Sequence, residues 1–202
     1  MNSTNLCKCL SIASHPITVF VVLCVGSFLW LPQSVYSQQF MLILLLIVLF
    51  FTSLAIILVG IGLKVGFFES FSFASLKDKM SAYLIFGMAY IACIGLTKGI
   101  FHYTIFYNLL IMSVFSLLFL SLTTFFWNIS QHTFVLGGAT AFCLFFIPHW
   151  TICQAMAVAI LMIFAGVIAS VRVKLNAHTL LETCIGFVAG LVVNLMVLFL
   201  WK

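Results

Sequence analysis

Residues Phe40 to Leu63 read FMLILLLIVLFFTSLAIILVGIGL, a run of 24 residues without a single charged side chain. A helix needs about 20 predominantly apolar residues to cross the hydrocarbon core of a bilayer. The rest of the 202-residue chain is similar, with 65% hydrophobic and 5% charged residues. Soluble domains carry roughly 25% charged residues. The composition therefore excludes a water-soluble globular domain and predicts an all-α integral membrane protein.

The same length criterion divides the chain into about seven apolar segments. We expect a polytopic bundle of transmembrane helices that forms a single integral membrane domain over residues 1–202. The expected segments are Pro16–Leu31, Phe40–Leu63, Ala82–Thr97, Thr104–Phe126, Gln131–Ile147, Thr151–Val171 and Thr183–Trp201. Each of the four tryptophans lies at a segment end, where an amphipathic ring favours the membrane interface.

The first segment has a second interpretation, as a secretory signal peptide. Lys8 precedes its apolar run, and Val35-Tyr36-Ser37 offers a small-x-small cleavage pattern before Gln38. We expect a retained span, and cleavage is the alternative.

Counting spans from the N-terminus assigns each loop to one of two membrane faces. One face holds the N-terminus and the loops at 64–81, 127–131 and 172–182, and the other holds 32–39, 98–103, 148–150 and the C-terminus. The first face carries six basic residues against two, which makes it cytoplasmic by the positive-inside rule. If Lys77, Lys79, Arg172 and Lys174 serve an anion site instead, the count becomes two against two. Orientation then stays open.

Charge and cysteine content narrow the classes of function. The net charge of +5 does not indicate nucleic-acid binding, because the basic residues are scattered singly and form no patch. The seven cysteines are an odd number, and five lie inside apolar segments as small buried side chains. Cys7 and Cys9 have no second Cys/His pair at metal-ligand spacing. With three acidic residues and no H-E-x-x-H pattern, nothing indicates a metal site.

Rare polar residues concentrate before the last segment. Arg172, His178 and Glu182 follow the spacing R-x5-H-x3-E. If the last helix begins near Ala177, His178 and Glu182 share one helix face, and the carboxylate accepts the imidazole N–H. This contact selects a tautomer and raises the basicity of the other ring nitrogen. Arg172 carries the forked guanidinium that suits phosphate or carboxylate.

Two further elements on the same face add basic or histidine chemistry. Ser130 and His132 begin an apolar helix, where free N–H groups and the positive end of the dipole favour an anion. Ser130 is also a candidate N-cap, and His132 is suited to protonating a leaving oxygen. Lys77 and Lys79 precede the third segment. Together these residues predict an anion site, although each alone is also typical of a helix cap or a topology-setting charge.

The stretch from Ser170 to Glu182 resembles the third motif of the phosphatidic acid phosphatase type 2 superfamily, S-R-x5-H-x3-D. Glu182 stands in place of Asp, and Val171 is inserted after Ser170. Residues Ser130–His132 match part of the second motif, P-S-G-H. Blocks similar to short Bacteroidetes-type bacterial members occur in the same order at His15-Pro16, Trp127–Gly138 and Arg172–Gly190.

This resemblance implies a six-helix phosphatase-like core over roughly residues 40–202 of the chain. It implies that His178 is a nucleophile forming a phosphohistidine, that Glu182 orients it and that His132 is the general acid. Arg172 and Ser130 would bind phosphate. The implied reaction uses no metal or other cofactor, and its substrate is a lipid phosphate or pyrophosphate in a bacterial inner membrane.

The family's first motif, K-x6-R-P, is absent, and Lys77 and Lys79 are the candidates for its remnant. Fewer fixed cations weaken the stabilisation of a transferring phosphoryl group. Two alternatives therefore stay open. One is a family member that binds phospholipid or polyprenyl phosphate without catalysis, and the other is a small transporter with His132, His178 and Glu182 as a proton relay. The sequence indicates neither the particular lipid nor the oligomeric state.

Overall fold

The computed structural model describes residues 7, 10–30, 37–69, 75–101, 105–146 and 152–201. In these residues the regular secondary structure is entirely helical, and a short helical stretch at 10–13 precedes the first long helix. The helices are α1 (Pro16–Trp30), α2 (Gln38–Lys64), α3 (Leu76–Phe101), α4 (Ile105–Phe126), α5 (Gln131–Phe146), α6 (Ile152–Lys174) and α7 (Leu180–Leu200). The predicted all-α membrane bundle is confirmed.

Each predicted segment corresponds to one helix, but the helices differ in their ability to span. Among the described residues, α2, α3, α4, α6 and α7 are long and apolar enough to cross a membrane. Helices α1 and α5 have 15 and 16 residues, which is about 22–24 Å at 1.5 Å per residue. Most of α5 is buried by neighbouring helices, so protein rather than lipid surrounds it.

Four helices extend past the predicted segments because polar residues belong to their first or last turns, and α2 does so through Gln38, Gln39 and Lys64. Helix α3 begins at Leu76 rather than Ala82, since the Ser75 hydroxyl accepts the Asp78 N–H at 3.1 Å. Helix α6 continues to Lys174, and α7 begins at Leu180. An apolar run therefore marks the membrane portion of a helix and not its ends.

Some sequence predictions fall partly outside the described residues. Cys9, Trp150 and the first two positions of the cleavage pattern, 35–36, lie there. Ser37, the third position, is the N-cap of α2, and its hydroxyl accepts the Phe40 N–H at 3.3 Å. Cys24 and Cys93 are buried as expected, but Cys184 is exposed on α7, because it lies on the side away from α5.

The chain forms two compact units. Unit 1 comprises Met1–Leu23 and Asn128–Lys202, and unit 2 comprises Cys24–Trp127. Unit 1 thus holds the start of α1 with α5, α6 and α7, and unit 2 holds the end of α1 with α2, α3 and α4. The single membrane domain stays a prediction.

In unit 2, α3 packs against both α2 and α4. Helix α2 ends at Lys64, and Gly66, two residues later, has a left-handed φ of 79°. The Phe67 N–H donates to the carbonyl of Gly62 at 2.8 Å, which closes the helix end. The buried Asp78 carboxylate accepts the Glu69 N–H at 3.2 Å. This bond ties the α2–α3 connection to the first turn of α3.

In unit 1, α5 and α7 approach so closely that their backbones touch. A Cβ added to Gly190 would overlap the carbonyl oxygen of Phe134, and one added to Gly137 would overlap that of Phe187. Small residues allow this approach between membrane helices. The other side of α5 packs on α1 and α6 through a core of Val19, Leu136, Ala139, Ala165 and Ile168. Helix α5 is therefore the centre of unit 1.

We expect Gly190→Ala to lower the free energy of unfolding by about 1–3 kcal/mol, because the added methyl group forces α5 and α7 apart. Thermal unfolding of the purified protein in detergent measures the change. Gly166→Ala on α6 is the matched control, since no atom of the described residues outside its own stretch of helix lies within 4 Å of its added Cβ. Equal melting temperatures for the two variants would contradict the close packing of α5 on α7.

Candidate functional site

The turn between α6 and α7 is short and closed by backbone hydrogen bonds. Asn176 has a left-handed φ of 52°. Its N–H donates to Val173 at 2.9 Å, and the Ala177 N–H donates to Arg172 at 3.1 Å. This is the Schellman arrangement, in which a left-handed residue follows the last helical turn. The turn keeps Arg172, at the end of α6, near the start of α7.

A capping box begins α7. Thr179 is the N-cap, and its hydroxyl accepts the Glu182 N–H at 3.3 Å. Glu182 Oε2 accepts the Thr179 N–H at 2.8 Å and lies 3.2 Å from His178 Nδ1. The predicted His178–Glu182 contact is present, but the predicted helix start near Ala177 is wrong. His178 precedes the cap, and the carboxylate reaches it because a capping-box glutamate folds back past its own helix end.

This carboxylate determines which nitrogen of His178 carries the proton. An ionised carboxylate only accepts hydrogen bonds, so Nδ1–H faces Glu182 and the lone pair of the neutral ring is on Nε2. The side chain of His178 is 7% exposed and that of Glu182 is 20% exposed. The pair thus orients a largely buried imidazole.

Ser130 connects the start of α5 to α7. Its N–H donates to the Glu182 carbonyl at 3.3 Å, and Gly186 permits the approach, because a Cβ there would lie 2.7 Å from the Ser130 carbonyl oxygen. Ser130 is fully buried, and its hydroxyl has no hydrogen-bond partner among the described residues. The predicted side-chain cap is therefore wrong. The carbonyl of Ser130 accepts the Phe134 N–H at 3.0 Å, and the hydroxyl stays available.

His132, in the first turn of α5, lies at the centre of a cluster of basic side chains. Its ring interacts electrostatically with Arg172, His15 and His178 and lies near the backbone of Ser11. Helices α5, α6 and α7 thus bring together the predicted residues His132, Arg172 and His178.

Two residues in contact with this cluster, Ser11 and His15, were not predicted as site residues. Arg172 Nη1 donates to the Ser11 hydroxyl at 3.0 Å. The rings of His15 and His132 meet edge to face, with centroids 5.9 Å apart and an interplanar angle of 86°. The available signal was a histidine directly before Pro16, the first residue of α1. Proline is favoured at the first position of a helix, so the sequence placed His15 directly before a helix start.

The charge of Arg172 has no counterion in the described part of the chain. Its guanidinium is half-buried, no described carboxylate lies within ion-pair distance, and Nε lacks a described hydrogen-bond partner. Glu182, the acidic residue nearest in sequence, contacts His178 instead. An unneutralised, partly desolvated guanidinium that interacts with His15 and His132 favours an anion with several acceptor oxygens.

The remaining predicted cations belong to the other unit. Lys77 and Lys79 lie in the first turn of α3 in unit 2, where Lys77 Nζ is 5.2 Å from the centre of the Phe67 ring. Their role in phosphate binding stays a prediction. The described residues include no group of three histidine, cysteine or acidic side chains that could hold a metal ion.

We expect acid to destabilise unit 1 partly through His15. Burial, followed by the nearby Arg172 charge, lowers the pKa of His15 below 6.5. The unfolded chain therefore takes up this proton more readily than the folded chain, so stability falls as the pH drops through about 6.5. Melting temperatures at about pH 8 and about pH 5.5 measure the loss, which should be smaller in His15→Gln. An equal loss in both proteins would contradict the assignment.

A scan against protein-family models matched none, and no curated protein or solved structure matches the chain.

Proposed function

We propose that this integral membrane protein is a metal-independent phosphatase that hydrolyses a lipid phosphate or pyrophosphate through a phosphohistidine intermediate. The main support is the buried His178 imidazole, which Glu182 orients, together with the His132 ring, which interacts electrostatically with both His178 and the uncompensated charge of Arg172. These groups supply a nucleophile, its orienting carboxylate, a phosphate ligand and a proton donor, which are the roles that the superfamily resemblance implies.

In the first step, His178 Nε2 attacks the phosphorus atom of the substrate. A bond forms between nitrogen and phosphorus, and the bond from phosphorus to the lipid oxygen breaks. The leaving oxygen takes a proton from His132 and departs as part of the lipid alcohol, or of the lipid monophosphate when the substrate is a pyrophosphate. Glu182 stabilises the positive charge that develops on the His178 ring.

In the second step, water attacks the phosphohistidine. His132, now neutral, accepts a proton from the water, and the electron pair of the nitrogen–phosphorus bond returns to His178. Inorganic phosphate leaves, and both histidines recover their starting protonation states. Arg172 neutralises charge on the phosphoryl oxygens in both steps, and the Ser130 hydroxyl supplies a further donor.

A lipid substrate fits the surroundings of the site better than a soluble one. Leu180 and Leu181 follow His178 by two and three positions and are 63% and 60% exposed. Helix α7 continues from them as a candidate membrane span. A phosphate group held by Arg172 would leave its acyl chains beside this apolar surface.

We expect the wild-type protein to release phosphate from a panel of lipid phosphates and pyrophosphates in detergent with excess chelator. His178→Ala and His132→Ala should reduce release to the protein-free rate, because each removes a group that forms or breaks bonds. His102→Ala is the matched histidine control and should retain activity. Absence of turnover by folded wild-type protein would reject the phosphatase and favour a lipid-phosphate-binding protein.

Glu182→Gln tests the orienting carboxylate separately from the helix cap. The amide oxygen can still accept the Thr179 N–H, so α7 should begin normally, whereas the charge facing His178 is lost. We expect kcat to fall by about 10²-fold or more with little change in melting temperature. Equal activity in the variant and the wild type would remove Glu182 from the mechanism.

Binding without catalysis is the second candidate function. The Ser11 hydroxyl already occupies one donor of Arg172, and the first family motif is absent. Both observations favour weaker stabilisation of the phosphoryl charge than a fast phosphatase needs. The phosphate-release panel distinguishes the two functions.

A further inference from the structure

His15 lies in the site but has no part in the reaction proposed above. It is half-buried directly before α1, and its ring meets that of His132 edge to face at 5.9 Å. It also interacts electrostatically with Arg172. These contacts come from α5 and α6, so His15 closes the cluster from a third element of unit 1.

The hydrogen bonding of His15 identifies its donor nitrogen. Nδ1 accepts the Ile17 N–H at 3.4 Å, as the side chain of a helix N-cap does. Nδ1 must be unprotonated to accept this bond, so the neutral ring carries its hydrogen on Nε2. The side chain makes no other hydrogen bond to a described residue, and Nε2–H is available to a ligand.

The segment before α1 is held in place by its own hydrogen bonds. The His15 N–H donates to Ile12 at 3.1 Å, and the Ser14 N–H donates to Leu10 at 3.0 Å. The buried Ser14 hydroxyl donates to the same Leu10 carbonyl at 3.0 Å. His15 is therefore presented by an ordered turn.

We propose that His15 is a ligand of the phosphoryl group, which it binds through Nε2–H together with the guanidinium of Arg172 and the hydroxyl of Ser130. This inference rests on the proposed function for the identity of the anion. A neutral donor suits this position, because Arg172 and the proton-donating His132 already supply positive charge to the phosphoryl group, and a third charge beside them would be repelled. The ligand class is a phosphate monoester dianion or the terminal phosphate of a diphosphate.

Two substitutions separate the donor from the ring. The side-chain amide of Gln donates from a position similar to Nε2, so His15→Gln should bind inorganic phosphate within about threefold of wild type. His15→Phe keeps the aromatic edge against His132 but has no donor, so phosphate should bind at least about tenfold more weakly. Calorimetric titration of the full chain in detergent with inorganic phosphate measures both. Thr18→Val is the matched control, because its exposed hydroxyl bonds, within the described part of the chain, only to the Ile12 carbonyl.

Kinetics on phosphatidic acid in mixed micelles form the second arm. If His15 binds the phosphoryl group, His15→Phe should raise KM for the lipid and the inhibition constant for free phosphate together, with a smaller effect on kcat. A rise confined to the lipid would assign His15 to the acyl or glycerol part and overturn the proposal. Equal phosphate affinity in His15→Phe and wild type would also overturn it.

A measurement on the wild-type protein covers the case in which His15→Phe does not fold. In protein labelled with nitrogen-15 in histidine, phosphate should shift the Nε2–H signal that is lost in His15→Gln. No shift at saturating phosphate would reject the proposal. Phosphate binding with the expected His15 dependence but no lipid turnover would reject the phosphatase and retain the anion site, so the two failures are distinguishable.

Discussion

The contact between the backbones of α5 and α7 is the constraint on which the site depends. Gly137 and Gly190 remove the side chains that would hold the helices apart, and Gly186 does the same one turn nearer the site. Where this contact ends, the Ser130 N–H reaches the Glu182 carbonyl. His132 lies two positions after Ser130, and His178 lies four positions before Glu182. The packing of α5 on α7 therefore determines where the two histidines lie relative to each other.

The distribution of charge in unit 1 follows from the shortage of carboxylates. The chain has three acidic residues for eight Lys and Arg, and Glu182 serves both Thr179 and His178. Arg172 is left to the Ser11 hydroxyl. A half-buried cation with only a neutral partner gains more from a doubly charged phosphate than a paired one would. The composition that suits the chain to a bilayer thus also favours an anion site.

The helices and part of the site could be predicted because their signals are local. Apolar runs such as Phe40–Leu63 mark helices, and the spacing of His178 and Glu182 puts them within reach. Helix ends were harder, because Ser75 and Thr179 extend α3 and α7 through hydrogen bonds that hydropathy ignores. Ser11 could not be found, since it lies 161 positions from Arg172. The Ser11–Arg172 contact depends on tertiary packing, and it produces no periodic pattern in the sequence.

Through Thr179 and Glu182, the first turn of α7 controls the orientation of His178 as well as the start of the helix. Helix ends fray more readily than helix centres, with opening free energies far below that of global unfolding. When this turn opens, the Glu182 carboxylate is released from His178 and Thr179 together, because one oxygen atom serves both. The fraction of molecules with an oriented histidine therefore equals the fraction with a closed helix end. Temperature, detergent or a lipid that alters this local equilibrium would change the fraction of molecules in which Glu182 orients His178, while the remaining helices stay folded.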